Sequence, residues 1–140
     1  MRAPSLLPAT VLLVLASSAG GQSLPYPKPD AQAMPTVQVT APFKPAQVTS
    51  DQARQIKGSY AMSNGWFMDV RTARRHIDAT IDRQQPMRLF AVSPYTFSSR
   101  DGSVVMHFNL GHWGDEMTMR YVPDQRTAQA VEVSGAMAQR

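Results

Sequence analysis

The chain contains no cysteine. That excludes disulfides, thiolate metal sites, a thiol nucleophile and a lipid anchor on a processed cysteine. Catalytic signatures are missing as well: nowhere do G-x-S-x-G, H-E-x-x-H, a P-loop or G-x-G-x-x-G occur. Histidine is scarce. His76, His107 and His112 are the three, and no two have the local spacing of a metal site. Charge is sparse and mixed in sign, with a formal net charge of +4 and no basic run, which counts against nucleic acid as a partner. Long apolar runs are also lacking. The longest, Leu6–Ala16, carries Pro8 and falls short of the about 20 residues that a spanning helix needs.

That short run has a different meaning. Arg2 precedes it and Ser17-Ser18-Ala19 follow it, the order of a positive start, an apolar centre and a small-residue cleavage site. Residues 1–19 therefore read as a signal peptide, and the expected location is periplasmic or secreted. A cysteine-free exported chain suits a bacterial periplasm better than the disulfide-dense style of small eukaryotic secreted domains.

Residues 20–49 read as a flexible tether. Pro25, Pro27, Pro29, Pro35, Pro42 and Pro45 are spaced through it, and such sequence prefers extended polyproline-like states without a core of its own. Thr36–Thr40 alternates like a strand within it. Ser50-Asp51 looks like a helix start with Ser50 as N-cap, giving one or two turns before Gly58.

From Ile56 to Val122 the pattern is β. Six to seven short strands are separated by Ser63-Asn64-Gly65, Ala73-Arg74, Arg83–Pro86, Ser93-Pro94, Asp101-Gly102 and Leu110–Asp115. The expected fold is all-β, a small antiparallel meander over residues 50–125 rolled into a barrel or sandwich. Residues 126–140 read as a tail with room for one more strand.

Register follows from the apolar pattern, because a slip of one residue turns every side chain over. A three-residue Ser63-Asn64-Gly65 loop sets Met62 against Trp66 and Tyr60 against Met68. An Ala73-Arg74 turn sets Val70 against Ile77, Met68 against Ala79 and Asp69 against Asp78. An Asp101-Gly102 turn sets Phe97 against Met106 and Tyr95 against Phe108. The next hairpin sets Phe108 against Met117, Met106 against Met119 and Val104 against Tyr121. One apolar face results, rich in Met62, Met68, Met106, Met117 and Met119. Methionine fills irregular gaps and also adapts to ligands, so the face reads as core or as the lining of a ligand site.

Two features carry candidate chemistry. Facing carboxylates on Asp69 and Asp78 could share a proton for hydrolysis, or stand solvated beside Arg71, Arg74 and Arg75. The Leu110–Asp115 loop places His112 and Trp113 between two glycines. Tryptophan is enriched where proteins meet partners; otherwise Trp113 folds back and plugs the open end of the sheet.

The stretch Gly58-Ser59-Tyr60-Ala61-Met62-Ser63-Asn64-Gly65 resembles the G-x-Y-x-(L/M)-S-N-G hairpin of small uncharacterised exported proteins of proteobacteria, which follows a Pro-rich leader. Tyr95–Gly102, and the strand ending Met106-His107-Phe108, are similar to a later turn of the same group. The resemblance spans about residues 56–122 and implies a shared fold, with no assigned activity and no catalytic residues.

The sequence thus predicts a non-enzymatic exported envelope protein that binds through a small β-domain. Its ligand contacts are His112 and Trp113, and no cofactor or metal is expected. The expected partner is another envelope protein, a glycan or a small apolar ligand. A lipocalin-like carrier with a Met-rich interior is the alternative, and a hydrolase using Asp69 and Asp78 stands further off.

Overall fold

The computed structural model describes residues 24–28, 44–124 and 126–139. The leader and the Thr36–Thr40 strand lie outside these residues. A short helix, α1 (Ser50–Ile56), precedes eight strands: β1 (Gly58–Met62), β2 (Phe67–Thr72), β3 (His76–Ile81), β4 (Met87–Ser93), β5 (Thr96–Ser98), β6 (Val104–Leu110), β7 (Glu116–Tyr121) and β8 (Val131–Gln139). Each strand pairs with the next, and β8 returns to pair with β1, so the antiparallel meander closes into a barrel. Closure removes the unpaired edges that an open sheet presents to other chains.

The strand that closes the barrel falls in residues 126–140, where the sequence left room for one more strand. Residues Val131–Gln139 pair with β7 from Glu116↔Ala136 to Tyr121↔Val131, and with β1 at Met62↔Gly135. Gly135 faces the interior between two methionines. A Cβ there would lie 2.6 Å from Met62 Sδ and 3.3 Å from Met117 Sδ. The glycine lets large side chains from both neighbouring strands fill that space.

Alternation decides the interior. Tyr60, Met68, Val70, Ile77, Ala79, Leu89, Phe97, Met106, Phe108, Met119 and Tyr121 are buried, while their neighbours Phe67, Asp69, Arg88 and His107 are exposed. Phe108 packs edge-on against both Tyr60 and Phe97, with ring centroids 5.6 and 5.7 Å apart. Burying each large apolar side chain is worth roughly 1.5–3 kcal/mol, so this interior is the main source of stability.

The first hairpin has the expected register, Tyr60↔Met68. The third and fourth keep Phe97↔Met106, Met106↔Met119 and Val104↔Tyr121. The second hairpin differs. Thr72 pairs with Ile77, Val70 with Ala79 and Met68 with Ile81. The turn falls one residue later than expected, at Arg74-Arg75, with the Ala73 amide donating to the His76 carbonyl at 2.9 Å, and this moves the pairing by two residues. A shift of two residues leaves the faces unchanged but replaces every cross-strand partner. Near the end of β6 the register also shifts between His107 and Leu110, where Asn109 takes a left-handed φ of 59°. This bulge displaces the expected Phe108–Met117 pairing.

Both ends of the barrel are closed by residues that precede β1. At the end bearing the β1–β2, β3–β4 and β7–β8 connections, Tyr26 stacks on Trp66 with centroids 4.7 Å apart. Its hydroxyl donates to Asp82, and the Tyr121 hydroxyl donates to the Pro25 carbonyl at 2.7 Å. Pro27 is buried. At the opposite end, α1 lies across the opening and Ile56 is fully buried. Thr49 is the N-cap, one residue before the expected Ser50, in a reciprocal capping box with Gln52. The Tyr60 hydroxyl donates to the Ile56 carbonyl at 2.7 Å. Upstream, the amides of Ala46 and Val48 donate to Ala91 and Arg74 carbonyls, each at 2.8 Å. Among the described residues of the proline-rich segment, Pro27 is buried and Tyr26, Ala46 and Val48 pack against the core. Isolated prolines left Tyr26, Ala46 and Val48 available for tertiary contact.

Candidate functional site

The β6–β7 connection is built on two glycines that no other residue can replace without strain. Gly111 has φ +75° and Gly114 φ +69°, left-handed values that side chains resist. A Cβ on Gly111 would sit 2.7 Å from Glu116 Cδ, and one on Gly114 would run into Asn109 Oδ1. The side chains of Asn109 and Glu116 thus occupy the space the glycines leave, one from each strand. The Asp115 carbonyl accepts from the Met137 amide at 2.8 Å, tying the loop to β8 as well.

This braced loop holds Trp113 outward. Its side chain is 82% exposed, the most of any large hydrophobic residue among those described. The His112 ring meets it edge-on, with centroids 4.8 Å apart and planes at 84°. The alternative in which Trp113 plugs the sheet does not hold, because α1 and Ile56 already close that end of the barrel. An indole exposed on a braced tip offers apolar area and one N–H donor on a backbone that is already ordered. Asp115 and Glu116 add carboxylates beside it. Sequence reasoning found His112 and Trp113 but missed Asn109 and Glu116. The signal for Asn109 was its residue type, since asparagine tolerates left-handed backbone next to a glycine-flanked turn.

The paired carboxylates are not assembled. Asp69 lies opposite Thr80 and accepts a hydrogen bond from the Ser59 hydroxyl. Asp78 lies opposite Arg71 on one side and Arg88 on the other. Arg88 grips it with Nε at 2.9 Å and Nη2 at 3.4 Å. That hydrogen bond raises the Arg88 pKa above its ordinary value. His76 Nε2 stands 3.7 Å from the same carboxylate. The two-residue change in the β2–β3 register is the reason, and it removes the direct facing of carboxylates that a shared-proton dyad requires. His107 shares a hydrogen bond with Thr96 at 3.2 Å on the outer face. No cluster of three metal-ligating side chains occurs among the described residues.

The interior is occupied by the protein itself. A small space of about 20 Å³ lies beside Tyr26 and Pro27, bounded further by Ile81, Gln84, Gln85 and Met87. It is about large enough for a single water. Eight strands give a barrel just wide enough for side chains to fill, or for one small ligand, and the buried side chains of the described strands form one cluster there.

Comparisons with protein-family models, with curated proteins and with solved structures return no match to this chain.

Proposed function

We propose that this is an exported envelope protein that acts without catalysis, binding a glycan or partner through the His112–Trp113 loop of a closed barrel. The observation that carries this reading is the 82% exposure of Trp113 on a loop braced from both flanking strands. Leaving an indole in water forfeits a large burial free energy, of the order of 1.5–3 kcal/mol for a large side chain. Contact with a second molecule recovers it. A glycan suits the loop best, because a sugar ring presents an apolar face to the indole and hydroxyls to Asp115, Glu116 and His112.

Cosedimentation of the exported protein with purified peptidoglycan sacculi tests the proposal. The protein is expected to pellet with the sacculi, and Trp113→Ala to weaken that binding by at least about tenfold, the loss of a hot-spot aromatic. Buried Trp66 would keep its fluorescence, confirming an intact fold. Equal pelleting of the variant, or no pelleting of either, overturns the assignment.

The second reading, a lipocalin-like carrier, draws on the closed eight-stranded architecture. An apolar ligand would have to displace the methionines that pack the interior, and Met side chains are the most adaptable for such a rearrangement. Binding of an apolar dye with quenching of Trp66 would favour it. The hydrolase reading loses its basis with the separation of Asp69 from Asp78.

A further inference from the structure

We propose that the outer face of β2–β4 carries a second binding site, independent of the loop, for a phosphate-bearing ligand. Arg71 is its principal cation, with Arg88 and Thr80 as further donors.

The strand register makes this site. Arg71, Asp78 and Arg88 pair directly across three adjacent strands, so their side chains form one row on the outside of the barrel. Neighbouring strands lie about 4.8 Å apart, which puts the two arginine backbones about 10 Å from each other. Beside this row opens a groove of about 540 Å³, lined by Arg71, Asp78, Thr80, Pro86 and Arg88. That volume is within the range of small-molecule sites.

The charge within the groove is unbalanced. Asp78 is its one carboxylate, and Arg88 takes that through Nε and Nη2. This fixes the guanidinium while Nη1 keeps its N–H donors. Arg71 makes no ion pair among the described residues. Asp69, opposite Thr80 on the same outer face, accepts from the Ser59 hydroxyl, and further cations stand nearby. Arg74 and Arg75 sit in the adjacent turn, and the Arg100 guanidinium lies 5.5 Å from the Phe90 ring centre on β4. The far side of the barrel is mixed in sign: Asp115, Glu116 and Glu132 lie on or beside β7 and β8, and Arg120 pairs across from Glu132. Within the groove the two arginines outnumber the one carboxylate, and a concave site with a surplus of one sign of charge attracts counter-ions.

The donor set selects the anion. A carboxylate has two oxygens and is satisfied by one arginine fork. A phosphate group presents three acceptor oxygens, and here two guanidinium groups and the Thr80 hydroxyl approach from three strand positions. The groove far exceeds a lone phosphate, so the group belongs to a larger molecule, either a soluble sugar phosphate or a phospholipid headgroup.

Titration calorimetry of the full chain with glucose 6-phosphate and with inorganic phosphate tests the soluble source. Flotation with vesicles of phosphatidylglycerol and phosphatidylcholine, against phosphatidylcholine alone, tests the headgroup. Binding is expected in one of these arms, stronger than for inorganic phosphate and weakened by salt. Arg71→Gln is expected to weaken it at least about tenfold, through loss of a charge-assisted contact. Arg120→Gln, on the outer face of β7, and Trp113→Ala are expected to leave it unchanged. Absence of binding in every arm refutes the site. So does wild-type affinity in Arg71→Gln. An equal loss in Arg120→Gln would show diffuse attraction to net charge and would refute the groove.

Discussion

Replacing Gly135 with alanine tests whether the barrel closes where β8 meets both β1 and β7. The added methyl would sit 2.6 Å from Met62 Sδ and 3.3 Å from Met117 Sδ, against an ordinary carbon–sulfur contact well above 3.4 Å. Met62 and Met117 are both buried, so within a packed interior the Met62 sulfur must move by roughly an ångström and the Met117 sulfur by a few tenths. Overpacking of this kind costs about 1–3 kcal/mol. The low end applies, because the atoms displaced are near the tips of flexible side chains. Loss of glycine's freedom in the unfolded chain returns about 0.4–1 kcal/mol. The net expectation is destabilisation by about 1 kcal/mol, or a fall in Tm of about 4 °C for a domain near this size. The decisive measurement is a double-mutant cycle in urea. Met62→Ala alone should cost about 2–5 kcal/mol as a core truncation. It also vacates the space the new methyl needs, so the double variant should be more stable than the sum of the two single effects by about 1 kcal/mol. Strict additivity would mean that Gly135 and Met62 do not face each other, and the closing register would be refuted.

Three other predictions follow from the same contacts. Gly114→Ala forces a side chain onto a φ of +69° and into Asn109; it should destabilise the fold by about 1–2 kcal/mol and lose sacculus binding together with Trp113→Ala, read by urea melts and cosedimentation. Burial raises the Tyr121 phenol pKa above its ordinary value, so the folded state holds that proton more tightly than the unfolded chain. The resulting stability is complete below about pH 10 and is lost as pH rises through the elevated folded value; urea midpoints across that range should show a fall that Tyr121→Phe flattens. N-terminal sequencing of the exported protein should find a chain starting near Gly20, and an intact Met1 on exported material would refute the leader.

The inner face was legible because period-two alternation is strong where large apolar residues alternate with charged ones, as in Met68-Asp69-Val70-Arg71 and Met117-Thr118-Met119-Arg120. β8 was not, since Gly135 and Ala136 blur the alternation at the point where small residues are needed between methionines. The β2–β3 register was misplaced by an even number of residues, an error that apolar patterning cannot detect because it leaves both faces intact. The packing of Tyr26 on Trp66 was equally hidden: it joins residues forty positions apart, and local sequence holds no trace of it. At the candidate site, the glycine-flanked His112-Trp113 pair was visible as a loop. The direction of the indole depended on α1 having already filled the barrel end.

Pairing between β1 and β8 sets an order of events for folding. Seven of the eight strand pairs join neighbours in sequence and can zip as local hairpins, each closing a short loop. The eighth joins Gly58–Met62 to Val131–Gln139, a span covering most of the domain, and contacts of that separation are the slow ones. Until those last strand residues are available, β1 and β7 each show a bare row of amides and carbonyls to the solvent, where another chain can add to them. A chain that emerges N-terminus first would therefore form a nearly complete sheet that cannot seal, and would be most prone to aggregation in the interval before its final strand emerges.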